Sequence, residues 1–421
     1  MTPRDRAAGM VARIADALDK TGTAGWSSTS SLYYGHPGVA VLHSELARHD
    51  ERHRAAAHFW ITRAARMSTA TQDHGLYDGT AALCFAMHQN AFSRGDYANA
   101  LGQADRLVTE AANRRAAQVE QRGAGPEHHS DSGTFDTVRG LTGLGALTLA
   151  RGQRAATDTV LAALEIVIRP PWILDGRPGW WVVEPSDSSS GAPENGHATL
   201  GTAHGIAGPL SLFALAWLDG HRSPAGRRSI ETVAEWLMAH VRTDRQGPWW
   251  PARLIPDGID TTPPPASWCY GVPGIARALH LAGRALGVPT WNRMALAAFR
   301  ATIDRVRDEP VDGLGLCHGW AGLLHLTWRM ADDTGDSALR AALDWLAARL
   351  LDRTASTLRA EFPTEEMPQL QDETRRDDHD GAGKAGALGL FTGLTGVALA
   401  LHTYARDRAP QSRWDRALLV A

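Results

Sequence analysis

Two kinds of apolar run alternate along the chain. One is apolar on every side: 205–217 and 393–402 are rich in Ala and Leu at helical spacing and carry no Lys, Arg, Asp or Glu. The other is one-sided. Across 227–242, Val233, Trp236 and Leu237 oppose Glu231 and Arg242, and 337–351 reads the same way. A helix apolar all round has to be enclosed by protein, whereas a one-sided helix can border water. The alternation therefore predicts an all-α chain built from a repeated unit, an inner helix followed by an outer one.

The inner runs share an opening, Gly-x-x-Gly. Six copies are complete, at Gly35/Gly38, Gly140/Gly143, Gly205/Gly208, Gly271/Gly274, Gly319/Gly322 and Gly393/Gly396; a seventh, at Gly79, has Ala82 in the second place. Successive copies start 44 to 74 residues apart, room for two helices and a loop. Glycine there is expected to permit positive-φ turns and close backbone approach. The whole chain, 1–421, reads as one domain, with an amphipathic N-terminal helix and lead-in over 1–30 and an irregular acidic, then glycine-rich loop over 361–388. The best β-like run, 180–184, sits in a Gly/Ser/Pro-rich loop (175–201), and the proline-rich stretch 256–267 cannot be helical throughout.

Composition narrows the function classes. With 43% hydrophobic and 21% charged residues the chain has ample core for a globular protein. A net charge of −3 without a basic run argues against a nucleic-acid partner. The N-terminus lacks the apolar h-region of a signal peptide, and no run approaches the roughly 18 apolar residues of a membrane span. Three cysteines, Cys84, Cys269 and Cys317, suggest reduced thiols in the cytoplasm rather than a disulfide framework.

The chemistry gathers just before the opening glycines. Cys269 and Cys317 each lie two residues before one, His318 and His204 directly before one, and Asp136 four before Gly140. If all inner helices run the same way, these residues meet at one mouth. Cys269, Cys317 and His318 are ligand types that zinc prefers, and three protein ligands leave a fourth position open, as in catalytic sites. Each also has an ordinary structural reading: buried inert thiols, a satisfied core histidine at 204, a helix N-cap at 136. Cys84, inside an apolar run, reads as a core thiol.

Ser267-Trp268-Cys269-Tyr270-Gly271, Leu316-Cys317-His318-Gly319 and Ala203-His204-Gly205-Ile206-Ala207-Gly208 together resemble the lanthionine synthetase C-like cyclase family, over about residues 30 to 405. The resemblance implies a double α/α toroid of seven inner and seven outer helices, with one Zn²⁺ per chain held by Cys269, Cys317 and His318. It implies Michael addition of peptide cysteine thiols to dehydroalanine or dehydrobutyrine, giving lanthionine or methyllanthionine rings. The implied partners are a dehydrated precursor peptide and a separate dehydratase, since no dehydratase domain precedes the cyclase region. His204 would then be the catalytic acid or base and Asp136 the group that orients it, with Trp268 and Tyr270 either lining the pocket or packing on a neighbouring helix.

The chemistry agrees with that role. A free thiol titrates at about 8.5, so it must be deprotonated to attack at neutral pH, and the enolate formed needs stabilisation and a proton. One departure stands out: the family commonly has an arginine four residues before the first zinc cysteine, and Pro265 stands there. That arginine's role is either absent, leaving the site to Zn²⁺ and His204, or supplied by a loop cation, Arg253 first and Arg177 after it. Two other readings share the same residues: addition of glutathione or another small thiol to dehydrated protein sites, and a zinc-stabilised, non-catalytic peptide-binding toroid.

Overall fold

In the computed structural model, residues 2–21, 30–67, 75–122, 131–169, 177–183, 195–256, 262–309, 311–361 and 388–421 are described. The inner runs form helices buried along most of their length, with exposure confined mainly to their last turns: α2 (His36–Leu46), α4 (Gly79–Gln89), α7 (Leu141–Ala150), α9 (Ala207–Leu218), α11 (Val272–Leu286), α13 (Trp320–Thr334) and α15 (Leu394–Arg406). The one-sided runs form α3 (Arg52–Met67), α5 (Ala98–Arg122), α8 (Arg154–Ile168), α10 (Pro224–Ala239), α12 (Pro289–Asp308) and α14 (Ser337–Glu361), each packed on the inner helix before it, and the single turn α6 (Ser132–Phe135) leads into α7. On α10, for example, Ile230, Val233, Ala234 and Leu237 are buried while Glu235 is exposed.

Contacts between inner helices run α2 to α4, α7, α9, α11, α13 and α15, and from α15 back to α2, so they close a ring. The last inner helix has no described outer helix after it. Its partner is α1 (Pro3–Thr21), which the sequence marks only as an N-terminal helix and lead-in, and which packs along α15 from the other end of the chain. Ion pairs from Arg4 to Asp407 (3.0 Å) and Arg6 to Asp352 (3.3 Å) border that seam, although exposed pairs of this kind add little by themselves.

The glycines work by close approach. At every complete step the second glycine packs its α-carbon against a carbonyl six residues earlier: Gly38 on Leu32, Gly143 on Thr137, Gly208 on Thr202, Gly274 on Trp268, Gly322 on Leu316 and Gly396 on Leu390. A Cβ at any of these would come within 3.0 Å of that oxygen. The expected positive-φ turns are absent from the complete steps, whose first glycines cap their helices in extended conformations at Gly35, Gly140, Gly271, Gly319 and Gly393. Only the degenerate Gly79 has φ of +58°. Gly396→Ala should therefore lower unfolding free energy by about 1–3 kcal/mol in denaturant titration, because the six-residue loop has no room to yield.

Strands are shorter and placed differently from expectation. Val182 forms a single bridge to His197, while two-residue ladders pair β1 (Ala198–Thr199) with β4 (Arg253–Leu254) and β2 (Arg242–Thr243) with β3 (Pro248–Trp249). Arg242 thus lies in a strand beyond the end of α10, not on the helix face predicted for it. The described parts of 256–267 hold no helix, and 362–387, most of the acidic and glycine-rich stretch, lies outside the described residues.

The middle of the ring is filled by the end of the chain. Trp414 to Leu418 form a short 3₁₀ turn, and Trp414, Asp415, Ala417, Leu418, Leu419 and Val420 are all buried. Asp415 accepts from His325 Nε2 (2.8 Å) and Arg329 Nε (2.7 Å), and Arg277 donates from Nε and Nη2 to the Val420 carbonyl (2.9 and 2.7 Å). The Arg329 guanidinium and His325 hold the Asp415 carboxyl well below the usual carboxylate range despite its burial.

Candidate metal centre and active site

Each inner helix is preceded by a tight loop, and the loops bond to one another. Leu32 N–H donates to Tyr77 O (2.6 Å), Thr137 to Ala203 O (2.9 Å), Ala203 to Cys269 O (3.2 Å), Trp268 and Cys269 to Cys317 O (2.9 and 3.3 Å), Cys317 to Phe391 O (3.0 Å), and Leu390 to Tyr33 O (3.0 Å). Between the second and third loops, Gly75 lies directly against the Val138 carbonyl. Backbone groups two residues before the opening glycines thus run round the mouth in chain order and return to the start.

Those same positions face a cleft of about 560 Å³: Tyr33, Tyr77, Val138, Ala203, Cys269, Cys317 and Phe391 all line it. The residues one position earlier, such as Leu32, Leu76 and Thr137, lie beneath the mouth and are buried, whereas Trp268 also reaches the cleft. Ring order makes neighbours of groups far apart in sequence. Asp136 belongs to the third loop, His204 to the fourth, Cys269 to the fifth, and Cys317 with His318 to the sixth.

One ligand atom each from Cys269, Cys317 and His318 lies within 4.8 Å of the others. The two cysteines are buried and His318 is exposed, so a cation would be gripped from below and reached from the cleft. A hydrogen bond from Cys317, with His318 beside it, draws the Cys269 thiol well below its usual range, while that bond and burial push Cys317 well above. Two buried sulfurs sharing one proton beside an imidazole fit a dication, which would let both ionise. Tyr33, passed over in the sequence reading, hydrogen-bonds Cys317, and its ring stacks on Phe391 at 4.8 Å. Its only sequence signal is an aromatic at the position where the fifth and sixth loops carry cysteine.

Beside this triad, His204 Nδ1 meets Asp136 Oδ2 at 2.6 Å. The other carboxylate oxygen, Oδ1, accepts the Arg139 and Gly140 N–H groups, both at 2.7 Å, so Asp136 caps the start of α7 and holds the imidazole at once. An ionised carboxylate only accepts, so Nδ1 carries the proton and Nε2 is left as the basic nitrogen of the neutral ring. Asp136 is fully buried and His204 partly open to the cleft. The sequence held a signal for this: four residues before the opening glycines stand Ser31, Gly75, Asp136, Gly201, Ser267, Gly315 and Gly389, a single carboxylate among small residues.

The other pocket candidates separate. The Tyr270 ring lies 5.9 Å from that of His204 on the cleft wall, and the Arg253 guanidinium lies over the Tyr270 ring at 5.9 Å. Trp268 lines the cleft too, while its indole N–H reaches beneath the wall to Leu418 O at 2.9 Å. Arg177 stacks on Trp181 at 5.1 Å, and neither residue lines the cleft. Exposed Pro265 sits on the cleft rim.

Among the described residues a second group of three ligand types occurs, Glu45, His49 and His402. Its carboxylate already accepts the Gln411 and Ser412 N–H groups (3.0 and 2.8 Å), and the Arg406 guanidinium stands 3.4 Å from His49 Nδ1. A fixed cation beside an occupied carboxylate makes this a turn anchor rather than a metal site. Cys84 is buried on α4 with its thiol toward Asp105 (3.6 Å), and burial beside that carboxylate raises it to about 12, as suits an inert core thiol.

The sequence profile of the lanthionine synthetase C-like protein family matches residues 27–419, and the chain belongs to that family. It is similar to the nisin biosynthesis protein NisC of Lactococcus lactis subsp. lactis, at 20% identity over 311 residues covering 70% of this chain and 72% of that protein. The solved structure of nisin cyclase superposes with a TM-score of 0.73 at 18% identity, covering 97% of this chain and 96% of that one, which establishes a shared fold. No described helix is long and apolar enough to cross a membrane.

Proposed function

We propose that this chain is a zinc-dependent lanthipeptide cyclase, a double toroid of seven helix pairs that closes thioether rings in a dehydrated precursor peptide. The observation that carries the reading is the placement of the Cys269/Cys317/His318 triad and the Asp136–His204 pair on consecutive loops facing one cleft.

Zinc bound to the triad would supply the positive charge that favours the thiolate form of a substrate cysteine. The chain's own groups do the rest. His204 Nε2 takes the proton of the thiol, with Asp136 fixing the tautomer and stabilising the imidazolium that results. The sulfur forms a bond to the β-carbon of the dehydro residue, the C=C electron pair moves onto the α-carbon and its carbonyl, and the proton held at His204 goes to the α-carbon. Atoms and charge balance without a further reactant.

The test is incubation with a dehydrated peptide followed by thiol alkylation, since ring closure leaves the mass unchanged and only removes alkylatable thiols. A glutathione-sized mass gain when glutathione is added would favour the small-thiol reading. Zinc-loaded protein that binds peptide yet leaves every thiol free would favour a binding toroid. Arg253→Ala should slow cyclisation by about tenfold, less than the 10²–10³ lost with a direct oxyanion donor, because a cation over Tyr270 acts at a distance. Zinc content and melting temperature should stay unchanged, and Arg177→Ala should have little effect. A wild-type rate for Arg253→Ala would leave zinc and His204 to stabilise the enolate alone.

A further inference from the structure

Residues 414–420 are buried and bond to two of the loops that surround the cleft, one of them the loop that carries Cys269. The Leu418 carbonyl accepts the Trp268 indole N–H at 2.9 Å, and the Ala417 carbonyl accepts the Tyr77 hydroxyl. Trp268 immediately precedes Cys269, and the backbone N–H groups of both residues bond to the carbonyl of Cys317. The stretch that carries the first cysteine is thus pinned at two points, one on the second cysteine and one on the C-terminal segment.

The segment is itself fixed from below by the helices that follow those loops. Arg277 of α11 grips the Val420 carbonyl while its Nη1 pairs with Asp333 Oδ2 (2.6 Å), and His325 and Arg329 of α13 grip Asp415. α11 begins just after Cys269 and α13 just after His318. Leu419 has φ of +56°, a left-handed conformation that a branched residue adopts only where its surroundings impose it. Freed from the ring, the segment would relax to ordinary φ values and could not present the same carbonyls to Tyr77 and Trp268.

We infer that the C-terminal segment 414–420 is a positioning element for the Cys269 loop, so that its docking and metal binding at Cys269/Cys317/His318 are thermodynamically coupled. The inference rests on the metal-centre reading above. Trp268 and Tyr77, both on the cleft wall, act on the metal centre through this segment as positioning residues. Coupling of this kind is reciprocal: a docked segment tightens metal binding, and bound metal holds the segment docked by the same factor.

Two measurements on the full chain test it. The first is zinc affinity, by competition with a chromophoric chelator, for Trp268→Phe and for Trp250→Phe. Trp250 is equally buried and donates its indole N–H to Leu237 O at 2.7 Å, away from the cleft lining, so the pair loses the same chemical group at two places. Trp268→Phe should bind zinc about tenfold more weakly, in the range found for groups that support metal ligands, and Trp250→Phe should match the wild type. Equal affinities in the two variants would overturn the coupling.

The second needs no variant of the segment: amide hydrogen exchange of 414–420 in zinc-loaded and metal-free wild type. Exchange in 414–420 should slow about tenfold on zinc binding, well beyond any change in α5, and the difference should vanish in Cys317→Ala. Slowing no greater than that of α5 would overturn the proposal even if Trp268→Phe failed to fold. A wild type that binds no zinc would remove the metal centre and this inference together, whereas tight wild-type binding with an indifferent segment removes the inference alone.

Discussion

Cys317→Ala is expected to take the protein from about one zinc per chain to almost none, the largest single effect anticipated for any substitution here. Three protein ligands at one tetrahedral site give that stoichiometry, and removing a thiolate leaves two, too few for a lasting site. Cys317 is also the hub of the local backbone: its carbonyl receives the N–H groups of Trp268 and Cys269, and its own N–H bonds to Phe391 O. Alanine keeps all three of those bonds, so the loss should be in metal rather than in fold. Elemental analysis of protein purified without chelator reads the outcome directly, with Cys84→Ser as the comparison that should leave zinc unchanged. A wild type without zinc under those conditions would end the metal-centre reading.

The second large effect is expected at His204. His204→Ala should keep zinc and fold yet cyclise 10²–10⁴-fold more slowly, the range typical of a lost general acid–base group. The substitution takes the proton carrier from the cleft and leaves Asp136 Oδ1 still bonded to the Arg139 and Gly140 N–H groups. Asp136→Asn should cost less than His204→Ala, because the imidazole remains while the group that fixes its tautomer is weakened. Its cap on α7 survives if the amide oxygen takes the place of Oδ1. A wild-type alkylation time course from His204→Ala would send the proton through another group.

Both expectations depend on which features were legible before folding. The inner and outer helices could be read because burial on all sides or on one side leaves a periodicity within ten to twenty residues. The metal ligands stood out because cysteine and Cys-His beside a repeated glycine step are unusual by residue type. Asp136 and His204, 68 positions apart, could be brought to one mouth by the repeat phase, but their pairing as base and orienting group came only from the family resemblance. Trp268 shows the limit most clearly. Its place before Cys269 suggested either a pocket residue or a packing one, and the structure makes it both: it lines the cleft while its indole N–H bonds to Leu418 O, a partner 150 positions away that no local pattern marks.

By itself, then, the sequence determined the helix alternation, the places where glycine is required and the ligand types at the mouth, because these follow from local periodicity, the absence of a Cβ and side-chain chemistry. It carried the close approach at the second glycines but misled about φ, since a missing Cβ serves either purpose and only coordinates tell which. Tertiary structure alone decided the ring order of the loops, the pairing of α1 with α15 and the burial of 414–420 beneath the cleft. Those rest on backbone N–H and carbonyl groups and on salt bridges between segments up to hundreds of residues apart, and every residue but proline offers the same backbone donor and acceptor, so no sequence pattern marks which partner each will find.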